Sequence, residues 1–275
     1  MAVSRPLVMG ILNVTPDSFS DGGLYLDAGV AVARAEQMVS EGAGLIDIGG
    51  ESTRPGSAGV PLAEELRRTI PVIRRLAKAV RVPLSIDTSK AGVAERALDA
   101  GASFINDVTA LRGDARMAAV AARGRASVIL MHMAGSPRTM QQRPRYHDVI
   151  RDVAAFLRRQ AKQAQDAGIS RSRILVDPGL GFGKTVTHNL SLMRGLSRFT
   201  ALGFPVVIGP SRKSFIGQRL NAEVGDRLAG TLACVASAFW HGVAMVRVHD
   251  VKACVQLLQM LEAIRGSRHA PWREH

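Results

Sequence analysis

Seven polar side chains stand at or just past the ends of short apolar runs: Asn13, Asp87, Asn106, Asp177, Lys213, Arg247 and His249. Carboxylates, amides and cations gathered in one place can read a ligand with alternating donors and acceptors and hold an anionic group beside it. Any one of them could be a simple helix cap, but independent caps explain the mixture poorly. Arg247 and His249 are two positions apart, so both can point the same way and grip an anion. A structural Arg–Asp pair is the plain alternative for Arg247. Ser211–Arg212–Lys213–Ser214 runs into Phe215–Ile216, a helix start whose free amides and partial positive charge suit carboxylate or phosphate.

Two long polar loops frame these residues. One runs Asn13–Val14–Thr15–Pro16–Asp17–Ser18–Phe19–Ser20–Asp21–Gly22–Gly23, and the other Gly49–Gly50–Glu51–Ser52–Thr53–Arg54–Pro55–Gly56. Both are long for connections of this kind and read as mobile lids or as surface turns. A third stretch, Pro178–Gly179–Leu180–Gly181–Phe182–Gly183–Lys184–Thr185, imitates a phosphate-binding P-loop. Its required first glycine is Pro178, so the pattern fails, and Lys184 occupies the third glycine of the dinucleotide fingerprint. It is expected to be a glycine-rich loop that lets Phe182 approach a ligand.

The elements that must position these groups are legible as eight apolar runs: Leu7–Asn13, Leu45–Gly49, Val82–Asp87, Ala102–Asp107, Ala126–His132, Ile174–Asp177, Phe204–Gly209 and Ala244–Val248. Each is nearly continuous in aliphatic residues, as strands buried on both faces of a parallel sheet must be. Amphipathic segments separate them. The clearest spans Asp148 to Ala167, with Asp148 as N-cap and Gly168 as the left-handed stop. Eight strands alternating with eight helices favour a single-domain (β/α)8 barrel, an α/β fold, over a doubly wound sheet. An internal echo supports this. In Gly42–Asp47, Gly101–Asn106 and Gly242–Arg247 a helix-ending glycine is followed by an apolar strand and, five positions on, a polar residue. The active site of such a barrel lies at the C-terminal ends of its strands.

The chain has 275 residues, close to the roughly 250 typical of one barrel. The barrel is expected over residues 1–265, with 266–275 a frayed tail. No apolar run reaches the roughly 18 residues of a membrane span, and no signal peptide is visible, so a cytoplasmic protein is expected. Cys234 and Cys254 are expected to be reduced core thiols. The net charge of +13 invites a nucleic-acid reading, but aromatic residues make up only 4%. The charge is spread over helix faces: Arg67, Arg68, Arg74, Arg75 and Lys78 on one, Arg151, Arg158, Arg159 and Lys162 on another. A solvated outer face that steers an anionic substrate inward is expected, with no nucleic acid or membrane partner.

The first two loops, together with Ser85–Ile86–Asp87–Thr88, Ile105–Asn106–Asp107, Asp177–Pro178–Gly179–Leu180–Gly181–Phe182–Gly183–Lys184, Ser211–Arg212–Lys213 and Arg247–Val248–His249–Asp250, resemble in order the signature blocks of the dihydropteroate synthases. The resemblance covers essentially the whole chain. One departure is Pro210, where the family usually has an aliphatic residue before Ser-Arg-Lys.

The resemblance implies a transferase of folate synthesis, in a family targeted by sulfonamide drugs. 6-Hydroxymethyl-7,8-dihydropterin pyrophosphate would condense with 4-aminobenzoate to give 7,8-dihydropteroate and pyrophosphate. It implies that Thr53, Asp87, Asn106, Asp177, Lys213, Arg247 and His249 bind the pterin pyrophosphate, with Asp87, Lys213, Arg247 and His249 also catalytic. It implies Mg²⁺ at Asn13, aminobenzoate at Phe19, Arg54, Pro55, Phe182 and Ser214, and a homodimer packed through outer helices. Two alternatives share the fold: a methyltetrahydrofolate-using barrel that hands its methyl group to a cobalamin protein, and a paralogue that binds pterin without turnover.

Overall fold

The computed structural model describes residues 5–15, 28–53, 56–57, 59–136, 138–142 and 144–266. The N-terminal half runs β1 (Leu7–Asn13), α1 (Ala28–Ser40), β2 (Leu45–Gly49), α2 (Leu62–Ala79), β3 (Leu84–Asp87), α3 (Ala91–Asp99), β4 (Phe104–Asp107) and α4 (Met117–Arg123). The remainder runs β5 (Ser127–Met131), α5 (Val149–Asp166), β6 (Ile174–Asp177), α6 (Val186–Arg194), α7 (Leu196–Thr200), β7 (Val207–Ile208), α8 (Ser214–Leu220), α9 (Leu228–Trp240), β8 (Met245–Val248) and α10 (Val251–Arg265). The eight strands are all parallel, in the order β6-β5-β4-β3-β2-β1-β8-β7. A parallel bridge between Val176 and Val206 joins the two ends and closes the (β/α)8 barrel.

All eight expected strands are present, most of them trimmed at an end. β7 shrinks the most because Pro205 has no N–H to give a ladder. Its carbonyl still accepts from Val176 N at 3.0 Å, so the seam holds. The helix count departs from eight: ten lie among the described residues, because two connections carry an additional short helix. The first is α7, split from α6 at Gly195, where a Cβ would come within 2.6 Å of Ile150 Cδ1. The second is α8, which stops at Asn221 in the left-handed conformation (φ 50°). The helix from Val149 to Asp166 is capped as expected, with Asp148 Oδ1 accepting from Ile150 N and Arg151 N at 3.0 and 3.1 Å.

Strand side chains alternate inward and outward. The outward ones, such as Ile46, Ile48, Ile86, Ile105, Val128 and Val246, are buried against the helices. The inward ones form an apolar plug: Met9, Leu45, Ile129, Leu175, Val207 and Met245, with Phe104 packed on it. Each such buried side chain contributes about 1.5–3 kcal/mol. Two positions further along, on the same inward face, stand Asp47, Asn106, Asp177 and Arg247. The sequence pattern therefore stacks a polar layer directly on an apolar one, at the C-terminal rim.

The outer faces behave largely as composition suggests. Arg74, Arg75, Arg158 and Arg159 are exposed, whereas Arg68 lies half-buried, donating to Gly50 O and Glu64 Oε1 at 2.8 and 2.7 Å. Cys254 is buried and Cys234 partly so, both as free thiols. No helix among the described residues is long and apolar enough to cross a membrane.

Candidate active site

The three glycine echoes converge. Gly42, Gly101 and Gly242 all adopt positive φ (100°, 115° and 70°), releasing the chain from α1, α3 and α9 into β2, β4 and β8. The polar residues five positions later meet at one atom. Asp47 Oδ2 accepts from Arg247 Nε at 2.6 Å and from Asn106 Nδ2 at 2.9 Å. Arg247 Nη2 also donates to Asp87 Oδ2 at 2.7 Å. Arg247 is thus in a structural Arg–Asp pair, which commits two of its five N–H groups and leaves three for other acceptors. Because the Asp47 oxygen that meets Asn106 also accepts from Arg247, it is the Asn106 NH₂ that faces it, which fixes the orientation of that amide.

Burial sets the electrostatics. Desolvation raises the Asp87 carboxyl to about 7, against the pull of Arg247 and with a push from Asp47. The Asp177 carboxyl is also raised by burial, although Gly179 N donates to its Oδ1 at 2.7 Å and Lys213 and Lys184 lie nearby. Lys213 is lowered to about 7 by burial, with Asp177 opposing. Its ammonium donates to Leu180 O and sits 4.1 Å from the centre of the Phe182 ring. Arg247 is raised: burial works against its charge, and Asp47 and Asp87 outweigh it.

Lys213 is aimed by the turn between β7 and α8. Arg212 holds φ 55° there, an unusual conformation for a side chain with Cβ. It is over-determined: Arg212 N donates to Thr231 Oγ1, Arg227 Nη1 donates to Arg212 O, both at 3.1 Å, and the Arg212 guanidinium clasps both oxygens of Asp250. Pro210 opens this turn, its carbonyl accepting from Lys213 N at 3.2 Å. Ser211 Oγ lies 3.0 Å from His249 Nδ1 and accepts from His249 N at 3.1 Å, which fixes the ring beside the turn. β8 ends at Val248, so His249 lies one residue beyond the strand.

Thr53 lines a recess with Glu51, Glu65, Asp87, Thr88 and Thr109. Its loop is anchored by Lys90, which donates to Glu51 and to buried Glu65. At the end of β1, Asn13 Oδ1 and Asp87 Oδ2 flank Gly49: a Cβ there would stand 3.8 and 3.7 Å from them, at ordinary contact distance. The Asn13 side-chain oxygen is a hard donor of the kind a small divalent cation takes, whereas Asp87 Oδ2 already accepts from Arg247. Ser214 is exposed at the first position of the seven-residue helix α8. Phe182 packs against Val108, Met131, Met133 and Met140. Phe19, Arg54 and Pro55 lie outside the described residues.

Of the expected site residues, Asp87, Asn106, Asp177, Lys213, Arg247 and His249 thus come to one rim. Sequence reasoning missed Asp47, Lys90 and Lys184. For Asp47 there was a signal: a carboxylate in the middle of the apolar run Leu45–Gly49, at the echo position.

A pterin-binding enzyme family model matches residues 9–249. The dihydropteroate synthase of Escherichia coli strain K12 is 46% identical over 266 residues, 97% of this chain and 94% of that one. The Yersinia pestis dihydropteroate synthase, solved with a sulfonamide drug complex, superposes with a TM-score of 0.91 at 46% identity, covering 96% of both chains. The Xanthomonas albilineans dihydropteroate synthase, solved with 4-aminobenzoic acid, also gives 0.91 at 46% identity, covering 97% of this chain and 96% of that one. With matches that run nearly end to end across this barrel and its polar rim, the chain belongs to the pterin-binding enzymes, among the dihydropteroate synthases.

Proposed function

We propose that this barrel condenses 6-hydroxymethyl-7,8-dihydropterin pyrophosphate with 4-aminobenzoate, giving 7,8-dihydropteroate and pyrophosphate. The carrying observation is that two buried carboxylates, Asp87 and Asp177, share one rim with the cations Arg247 and Lys213. A pterin edge presents a ring N–H and an exocyclic amine, which Asp177 accepts. Asn106 Oδ1 accepts a further ring N–H, and Lys213 donates to a ring acceptor. Thr53 borders the bound pterin pyrophosphate.

The reaction breaks the bond from the pterin methylene carbon to oxygen, and pyrophosphate leaves with the electron pair. Arg247 and His249 Nε2 hold the charge that develops on it, while the Asp87 carboxylate faces the cation-like methylene. The arylamine lone pair then forms the C–N bond, and its proton passes to solvent or to pyrophosphate. An aniline nitrogen is neutral at working pH and needs no strong base. Phe182 and Ser214, with Phe19, Arg54 and Pro55 from the two long loops, hold the aminobenzoate. Asn13 would hold Mg²⁺ through its side-chain oxygen. When bound, the ion supplies Lewis-acid neutralisation of the departing pyrophosphate.

Purified protein given both substrates and Mg²⁺ is expected to form dihydropteroate, and chelation of the metal should slow it by at least about 100-fold. Pterin binding without product at saturating substrate would leave only the binding reading, and full rate under chelation would remove the metal from it.

A second copy of the chain fits the outer helices. Leu228 and Trp240 on α9 and Met260 and Ile264 on α10 are large apolar side chains left 37–62% exposed. A homodimer would cover them, so sedimentation should give twice 29.4 kDa. A particle of single mass at micromolar concentration would exclude this arrangement. We place the protein in the cytoplasm, where Cys234 and Cys254 stay reduced.

A further inference from the structure

The P-loop imitation has a role the reaction above leaves unused. Gly179, Gly181 and Gly183 all have positive φ (69°, 81° and 65°). A Cβ at Gly179 would stand 2.0 Å from His132 O, and one at Gly183 2.7 Å from Ala134 Cβ. The loop therefore lies flat on the segment after β5. Three such glycines in five residues also leave it little stiffness of its own, so something must fix the Phe182 ring.

Lys184 is only 3% exposed. Its Nζ finds three acceptors: Phe182 O and His132 Nδ1, both at 2.9 Å, and His132 O at 3.4 Å. Every hydrogen of an ammonium is thereby directed. His132 packs edge-on to Phe156 with ring centres 4.8 Å apart, and burial with the Lys184 charge lowers it to about 3. The imidazole is neutral, with Nδ1 as acceptor. Burial also lowers Lys184, to about 7. A buried ammonium with no carboxylate in contact is costly, and an apolar side chain of similar volume would suit stability better. Its arrangement makes sense through what it holds: the Phe182 carbonyl, and hence the ring that carries the Lys213 ammonium on its face.

We infer that Lys184 is a positioning residue for the aminobenzoate side of the site, acting through the Phe182 carbonyl to set the Phe182 ring against Lys213. This rests on the reading of Phe182 as an aminobenzoate contact. The other side-chain hydrogen bonds to the loop do not touch Phe182: Tyr146 Oη donates to Gly183 O at 2.8 Å, Gln141 Nε2 to Gly181 O at 2.7 Å and Lys213 to Leu180 O, and Asn189 Oδ1 accepts from Gly181 N at 2.7 Å.

A double-mutant cycle tests it. Lys184→Met should raise the KM for 4-aminobenzoate about 10-fold with kcat within about threefold, and Phe182→Ala should do at least as much. The double variant should be no worse than Phe182→Ala alone, because the two act as one unit. Tyr146→Phe, which loosens the same loop elsewhere, should lower Tm and leave that KM within about twofold. If Lys184→Met does not fold, Lys184→Gln keeps an amide donor and enters the same cycle. Additive effects, an unchanged KM in Lys184→Met, or an equal rise in Tyr146→Phe overturn the inference. Should Phe182→Ala move the pterin constant instead, its aminobenzoate assignment fails, while non-additivity on that constant would still support the coupling to Lys184.

Discussion

Asp177→Asn is expected to lower kcat/KM for the pterin pyrophosphate by about 10³–10⁵-fold, because the change turns an acceptor into a donor opposite donors. Asp177 is 6% exposed and its Oδ1 already accepts from Gly179 N. Asparagine keeps the shape and can keep that bond through its own oxygen, so its NH₂ must take the place of the other carboxylate oxygen. Facing a ring N–H and an amine, it leaves polar groups unpaired on both sides of a dry contact. The fold should not suffer. Burial raises the Asp177 carboxyl, so removing the charge removes a desolvation cost. Steady-state kinetics and a thermal melt check both halves. A loss below about tenfold would mean that Asp177 does not read the pterin edge.

Arg247→Met is expected to cost about 3–5 kcal/mol of stability as well as most of the turnover, since it removes the cation between two buried carboxylates. Asp47 is fully buried and Asp87 nearly so, and both point an oxygen at this guanidinium. The deficit should depend on pH in a defined direction. The Asp87 carboxyl lies near 7 in the fold, above its ordinary 3.8, so between those values the native state holds more protons than the unfolded one. Stability from this group is therefore highest below its ordinary value and falls as pH rises through about 7. Without Arg247 the folded value climbs further, and the fall should become larger and extend to higher pH. Adding Asp47→Asn should recover part of the stability and none of the turnover. Urea unfolding at several pH values, alongside turnover, decides it. A single variant as stable as the parent at pH 8 would show that the Asp47–Arg247–Asp87 chain does not hold the rim.

Much of this was legible because of how a parallel barrel buries its strands. Both faces are dry, so each strand is an unbroken apolar run, and the polar residue that ends it marks the rim. Asp87, Asn106 and Asp177 were visible for that reason. Asp47 was harder: it matters because β1, β2 and β8 lie side by side in a register that brings it beside Arg247, 200 positions away in sequence. Lys184 was hidden by its setting in a familiar-looking glycine loop, with its partner His132 52 positions earlier. The start of α8 at Ser214–Phe215 was read, but its early stop at Asn221 was not, and α7 was missed because five residues give too little periodicity to read. The expectations for Phe19, Arg54 and Pro55 rest on resemblance, since those residues lie outside the described ones.

The plug of Met9, Leu45, Ile129, Leu175, Val207 and Met245 makes the cavity a blind well. Arrivals and departures share a single doorway. With the pterin on Asp177 and the aminobenzoate above it, as proposed, the lower guest is expected to come first and to depart last. Sequence of entry, and with it the pattern of inhibition by a molecule that lodges only in the upper storey, is thus written into the side chains that seal the bottom.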